Sequence, residues 1–384
     1  MKQTTGISIS RECGCVMRGM AIVIIALHNF CHLVPGIAQE NEFAFISDRI
    51  VALLAPNETA SAFVFDMLSF FGWYGVTVFM FLTGYGLVMK YEREKTPLSP
   101  PRFILHNYLK LLFLMLPAIV VFFFLTLRNN LKCGYVDYGE LFNCVMQLTM
   151  LPDLFWGLGR LLWPSPGVFW YFGLAMQFYI IYALFIHGKN PLWMWTLTAI
   201  SLALQFAVNP AAGNMVWLRF NATGWMIVLV FGIVCGRISK VPKAAVAVAL
   251  ALSALLLWPS MLNSVTWQFS ILAWVVIAVA VAKVSMMIPV WRTLWIWMGR
   301  LSPYIFVAHP VARYLVFPMQ KHREPMLESL AVYLGLTIVI ALVFRLVTGF
   351  CYRRFLPGKD LSLPSQPTLK MPPDEPSYHV AAVD

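Results

Sequence analysis

Two imidazoles lie deep in the first apolar stretch of this chain, which reads Arg18-Gly19, eight uncharged residues, then His28-Asn-Phe-Cys-His32. An ionisable side chain inside a membrane helix costs about 2.5–3.5 kcal/mol by insertion scales for a central Arg, Lys or Asp, so such a group is a functional candidate by default. At 1.5 Å per residue His28 stands about 15 Å above Arg18, near the midplane of a hydrocarbon core about 30 Å thick. Arg18 can snorkel to the interface, whereas His28 cannot. His32 follows one turn later on the same face. A neutral imidazole there offers a lone pair, the equipment of a general base. The competing reading is a structural histidine that hydrogen-bonds a neighbouring helix.

Three further groups carry polar chemistry. Arg18, Lys90, Arg93, Arg102 and Lys110 fall at one end of the first three apolar segments and can ring a mouth that attracts a phosphorylated ligand. The rule that positive loops stay inside accounts for Lys90, Arg93 and Lys95 without a ligand, but less well for Lys110. Gln177, in FWYFGLAMQFY, needs a polar partner and is expected to face the bundle. Trp170 beside it serves as a ligand contact or an interfacial anchor. His309 lies in MGRLSPYIFVAHPVAR, where Pro303 and Pro310 are expected to bend or interrupt a helix.

The elements that must position these residues are membrane helices. Hydrophobic residues make up 60% of the 384 and charged residues 12%, against about one quarter charged in a soluble chain. A net charge of +11 is spread between apolar runs, which reads as topology rather than nucleic-acid binding. The apolar pattern predicts an all-α bundle of about ten transmembrane helices, near 17–34, 66–89, 103–127, 167–186, 192–208, 222–235, 244–258, 267–284, 294–316 and 327–350. Residues 1–15 form a leader and 16–355 the membrane domain. The tail, 356–384, holds six prolines from Pro357 onward and is expected to be disordered. Lys and Arg number 17 on the side of the termini and eight on the other, with three in or beside helices; this places both termini in the cytoplasm. The first apolar run lacks a small-residue cleavage site and reads as a retained anchor. None of the seven cysteines has metal-ligand spacing, and no metal is expected. Cys133 and Cys144 share an expected outer loop and are candidates to pair.

The order of these segments resembles the acyltransferase 3 family of membrane O-acyltransferases, over about residues 11–355. The resemblance rests on MRGMAIVIIALHNF, FFGWYGVTVFMFLTGYGL, RFILHNYLKLLFLMLP, FWYFGLAMQFYIIY, FGIVCGR and MGRLSPYIFVAHP. It implies transfer of an acyl group, commonly acetyl from acetyl-CoA, to a hydroxyl of an extracytoplasmic carbohydrate or similar acceptor. The expected setting is a bacterial cytoplasmic membrane, with no permanently bound cofactor. His28 matches the family's essential histidine, Arg18 its basic partner, Arg102 and Lys110 its later basic positions, and His309 the histidine of the late segment. With these residues in place, His28, Arg18 and His309 are the catalytic candidates. Arg102, Lys110 and Arg93 are candidates for the acyl-CoA donor, and His32, Gln177, Trp170 and Tyr85 for substrate. The family separates the helix 1 Arg and His by ten residues and this chain by nine. Eleven steps leave such a pair about 20° apart around a helix and ten steps about 80°, so either a bulge restores the register or Arg18 points elsewhere. Thr83 stands where the family often has Ser. Two other functions fit the residues: a proton-coupled transporter or exporter, and a non-catalytic family member.

Overall fold

The computed structural model describes residues 6–31, 34, 36–55, 60–155, 162, 164–238, 240–316 and 326–356. His32 and the tail from 357 lie outside them. In chain order the helices are α1 (Arg11–Cys31), α2 (Asp48–Leu54), α3 (Ala60–Phe71), α4 (Tyr74–Leu87), α5 (Pro100–Lys132), α6 (Tyr138–Met146), α7 (Pro152–Phe155), α8 (Trp170–Ile181), α9 (Pro191–Ala207), α10 (Gly213–Phe220), α11 (Met226–Ile238), α12 (Lys243–Leu262), α13 (Ser264–Ser285), α14 (Pro289–Val316) and α15 (Met326–Phe355). Two π-helical turns, Val88–Arg93 and Tyr182–Ile186, extend α4 and α8. The one β pairing joins Gly6–Ile7 to Val241–Pro242, among the described residues.

Seven helical stretches are long and apolar enough to cross a membrane, and α9 and α11 are shorter apolar helices. This is a multi-pass membrane protein. Leu252 and Leu255 on α12 and Leu346 and Phe350 on α15 are exposed; in a bilayer these faces meet lipid, where large apolar side chains belong. Tyr352, near the end of α15, donates to the Lys110 carbonyl of α5 at 2.8 Å, and Lys110 lies within electrostatic reach of Arg18. The last described turns therefore return to the end of the bundle where α1 begins.

Close packing comes from glycine. Gly19 of α1 lies against the Trp295 carbonyl of α14, and Gly299 of α14 against the Cys15 carbonyl of α1; a Cβ at either position would overlap backbone. Gly84 of α4 and Gly232 of α11 meet the Leu229 and Phe81 carbonyls in the same way. Small residues let helices approach to backbone contact where lipid supplies no hydrophobic drive.

Four expectations change, the last of them the pairing of Cys133 with Cys144. First, α1 begins at Arg11, inside the expected leader, and carries Cys13 and Cys15 as buried residues. Second, the expected second helix breaks at Gly72-Trp73 into α3 and α4. Third, Pro303 and Pro310 do not interrupt α14, which runs unbroken for 28 residues. A proline at position i strips the donor from the carbonyl at i−4. Ser302 Oγ donates to that carbonyl, Gly299 O, at 2.9 Å, and the His309 ring serves Ile305 and Phe306 at the second proline. Cys133 and Cys144 do not pair: Cys133 is exposed and Cys144 is buried, its sulfur 3.3 Å from Ser165 Oγ.

Ser302→Ala is expected to lower unfolding stability by about 1 kcal/mol, the net worth of one hydrogen bond. In a Pro303→Ala background, where residue 303 regains its N–H, the same change is expected to cost much less. Thermal denaturation of the four proteins in detergent checks this.

Candidate active site

His28 is 3% exposed, so its ring faces the bundle and not lipid. Its Nδ1 lies 2.8 Å from the Ser69 carbonyl. A carbonyl only accepts, so Nδ1 carries the proton, and in the neutral ring Nε2 is the basic nitrogen. The break after Phe71 supplies that carbonyl, because the last turn of α3 lacks downstream amides for its oxygens. Gly72 sits so close to the His28 Cβ that any side chain at 72 would collide with it. The break and the glycine together fix where the imidazole stands.

The loop between α1 and α2 completes the surroundings, with acidic residues that are not among the sequence-predicted site residues. Residues 36–46 fold back against the bundle. Ala38 N donates to Asp66 Oδ1 at 2.8 Å and Ser69 Oγ to Ala38 O at 2.6 Å. Trp267 Nε1 donates to Asn41 O at 2.8 Å, and Phe45 N to Pro210 O at 2.9 Å. Phe43 stacks on Phe220 at 4.5 Å and meets Trp170 edge-on at 5.4 Å. So anchored, the loop brings a carboxylate oxygen each of Glu40 and Glu42 and a ring nitrogen of His28 within 4.8 Å of one another. The pattern Glu-x-Glu carries the signal, since alternate residues of an extended segment share a side. Three such groups have the spacing of a divalent-cation site, but a buried guanidinium beside them opposes a cation.

That guanidinium is Arg219, fully buried on α10. It donates from Nη2 to Gln268 Oε1 at 2.7 Å and lies over the Trp267 ring at 4.3 Å and the Trp225 ring at 5.0 Å. Its Nε and Nη1 have no hydrogen-bond partner among the described residues. Burial pulls its pKa down to about 10, against the pull of Tyr74 and Glu42. Burial pushes the Glu42 carboxyl well above the usual carboxylate range; Glu40 adds to this and Arg219 opposes it.

The other candidates divide. His309 is fully buried within electrostatic reach of His28 and Arg313. Its Nδ1 donates to Ile305 O at 3.2 Å and its Nε2 has no partner among the described residues. Trp170 is buried against Phe43 and Trp225. Gln177 is occupied at both ends: Nε2 donates to Asn221 Oδ1 at 2.8 Å and Oε1 accepts from Ala222 N at 2.9 Å. The Tyr85 hydroxyl donates to Ile9 O at 2.7 Å.

At the end where α1 begins, Lys110 lies within electrostatic reach of Lys90 and Arg18. α1 is continuous α-helix across residues 18–28, so no bulge restores the longer register and Arg18 stays about 80° from His28 around the helix. Arg102 is exposed in the first turn of α5. Arg93 donates to the Gly236 carbonyl at 3.3 Å and to that of Arg237, tying the π-helical turn to α11. Beside it opens a cavity of about 520 Å³ lined by Tyr91, Lys95, Thr96, His187, Lys189 and Arg237, among others. Glu92 holds Arg237 at 2.8 Å.

Gln177→Leu is expected to destabilise the protein by about 2 kcal/mol, since it leaves Asn221 and the Ala222 amide short of a partner. The melting temperature in detergent measures this.

Residues 16–346 match the family model described as an acyltransferase domain. Among curated proteins and among solved structures, none matches the chain. The family match, a membrane helix bundle and a buried imidazole with its basic nitrogen defined lead to one conclusion: the chain belongs to the acyltransferase 3 family.

Proposed function

We propose that the protein is an O-acyltransferase that moves an acyl group, acetyl in the first instance, from cytoplasmic acyl-CoA to a hydroxyl of an extracytoplasmic carbohydrate. The observation that carries this is His28: interior, near the expected midplane, with Nδ1 committed to Ser69 O. In the reaction the acceptor hydroxyl loses its proton to His28 Nε2 as its oxygen bonds the acyl carbon. The carbon–sulfur bond breaks, the sulfur keeps the electron pair, and the imidazolium returns the proton to the thiolate. Ten membrane helices with both termini in a bacterial cytoplasm complete the proposal; α9, α11 and α14 join the seven candidate spans in that count. His309 lies next to this centre and Arg18 below it.

The donor reading is supported by the positive charge at one end. Arg18, Lys90 and Lys110 form an inner group, and Arg102 stands at the start of α5. The cavity beside the π-helical turns adds Lys95 and Lys189. Ammonium and guanidinium groups hold phosphates by charge-assisted hydrogen bonds. A CoA whose phosphates sit here extends its arm toward α1. The acceptor enters from the opposite end, where Trp170 and the 36–46 loop stand; Gln177 and Tyr85 support this site by fixing backbone.

His28→Ala is expected to cut acetyl transfer by about 10²-fold or more, the usual worth of a general base. Purified protein in lipid discs, assayed for CoA thiol release with and without a glycan acceptor, tests this; undiminished transfer would remove His28 from the mechanism. Lys95→Glu combined with Lys189→Glu is expected to raise KM for acetyl-CoA about tenfold at low salt with kcat little changed, the difference shrinking as salt screens it. Initial rates at two ionic strengths read it out.

A further inference from the structure

We propose that Glu40 and Glu42 are the charge partner of His28, a carboxyl pair carried on the 36–46 loop that stabilises the imidazolium formed during transfer. This rests on the reading of His28 as the base. The argument begins with placement. A surface loop has no reason to bury acidic side chains, yet this one is fastened at Ala38, Asn41 and Phe45 to α3, α13 and the segment before α10. Ser69 links the two parts: its carbonyl accepts from His28 and its hydroxyl donates to Ala38 O. One residue therefore sets both the ring and the loop that faces it. Glu42 is 7% exposed, and Glu40 Oε2 is buried with no hydrogen-bond partner among the described residues.

Two carboxyls so close in a buried site resist carrying two full negative charges, and between them they keep negative charge beside the ring. The raised Glu42 carboxyl agrees with this. Other charged or titratable groups approach the cluster among the described residues. Arg219 approaches from α10, Arg49 from α2 next to Glu40, Asp66 from α3, Tyr74 from α4, and His309 and Arg313 from α14. Arg49 spends its guanidinium on the Glu40 carbonyl and Asn41. Arg313 donates to Asn29 at 3.1 and 3.2 Å. These cations neutralise part of the site but repel an imidazolium; the carboxyl pair, within 4.8 Å of a ring nitrogen, attracts it by its charge. When His28 takes the acceptor's proton, the new positive charge forms beside an anion already in place. No extra reactant is needed, because the proton returns to the departing thiolate. Glu40 and Glu42 are positioning residues: they act through His28 and not on the substrate.

The test uses the full-length protein in lipid discs with acetyl-CoA and a glycan acceptor, comparing wild type, Glu40→Gln/Glu42→Gln, Glu42→Asp and His28→Ala. The double variant is expected to lower kcat about tenfold and to move the acid limb of its pH profile about one pH unit lower, because the imidazolium forms less readily without the anion. KM for acetyl-CoA should stay within about twofold, and Glu42→Asp should recover most of the rate. If the double variant does not fold, Glu42→Gln alone is read in the same way. An unmoved acid limb in folded Gln variants overturns the proposal. A rise in acceptor KM alone overturns it in favour of carboxylates that bind acceptor hydroxyls. One equivalent of divalent metal in the wild type, lost in the double variant, overturns it in favour of a cation site. An active His28→Ala removes the base reading itself, whereas an inactive one with unaltered Glu variants removes only this inference.

Discussion

A polar group in hydrocarbon must be paired, and the hydrogen bond from His28 Nδ1 to the Ser69 carbonyl answers that demand on two helices at once. The ring's N–H needs an acceptor, and the last turn of α3 has a carbonyl without an amide. Each repairs the other. The bond also settles the tautomer, and so determines which nitrogen can do chemistry. Ser69 reaches outward with its hydroxyl to the 36–46 loop, so the loop, the break in the helix and the imidazole form one unit.

The same economy governs α14. Two prolines remove backbone donors, and side chains one residue before each of them, Ser302 and His309, cover the carbonyls left over. His309 therefore has a structural duty at Nδ1 whatever its Nε2 does. Near the other end of the bundle, Arg93 and Tyr85 also spend their donors on backbone carbonyls. Polar side chains in this protein mostly hold helices together, and His28 does so through Nδ1.

Much of this could be read from residues alone. The helix-rich bundle follows from long apolar runs, and the family from six ordered segments. The interior position of His28 follows from the cost of wetting lipid with an imidazole. The break at Gly72-Trp73 was hidden, because aromatic and apolar residues continue through FFGWYG without a change in hydropathy. Proline misled in the opposite direction: its local rule allows an interruption, yet α14 runs through both prolines. Glu40, Glu42 and Arg219 were beyond reach for a different reason. Charge in a loop reads as solvated until tertiary contacts, here those of Trp267, Asp66 and Phe220, pull the backbone inward. Gln177 was expected to need a polar partner, and which partner depends on the fold of residues 221–222.

The backbone contact between Gly19 and Gly299 bears on how the chain is made. α1 enters the membrane first, yet the surface it fits best belongs to α14, about 280 residues later in synthesis. Until α14 arrives, the groove at Gly19 lacks the neighbour that fills it, and Asn29 lacks the Arg313 guanidinium, although α3 already offers Ser69 to His28. The order of synthesis thus runs against the order of packing, and assembly must end with one of the last helices closing onto the first.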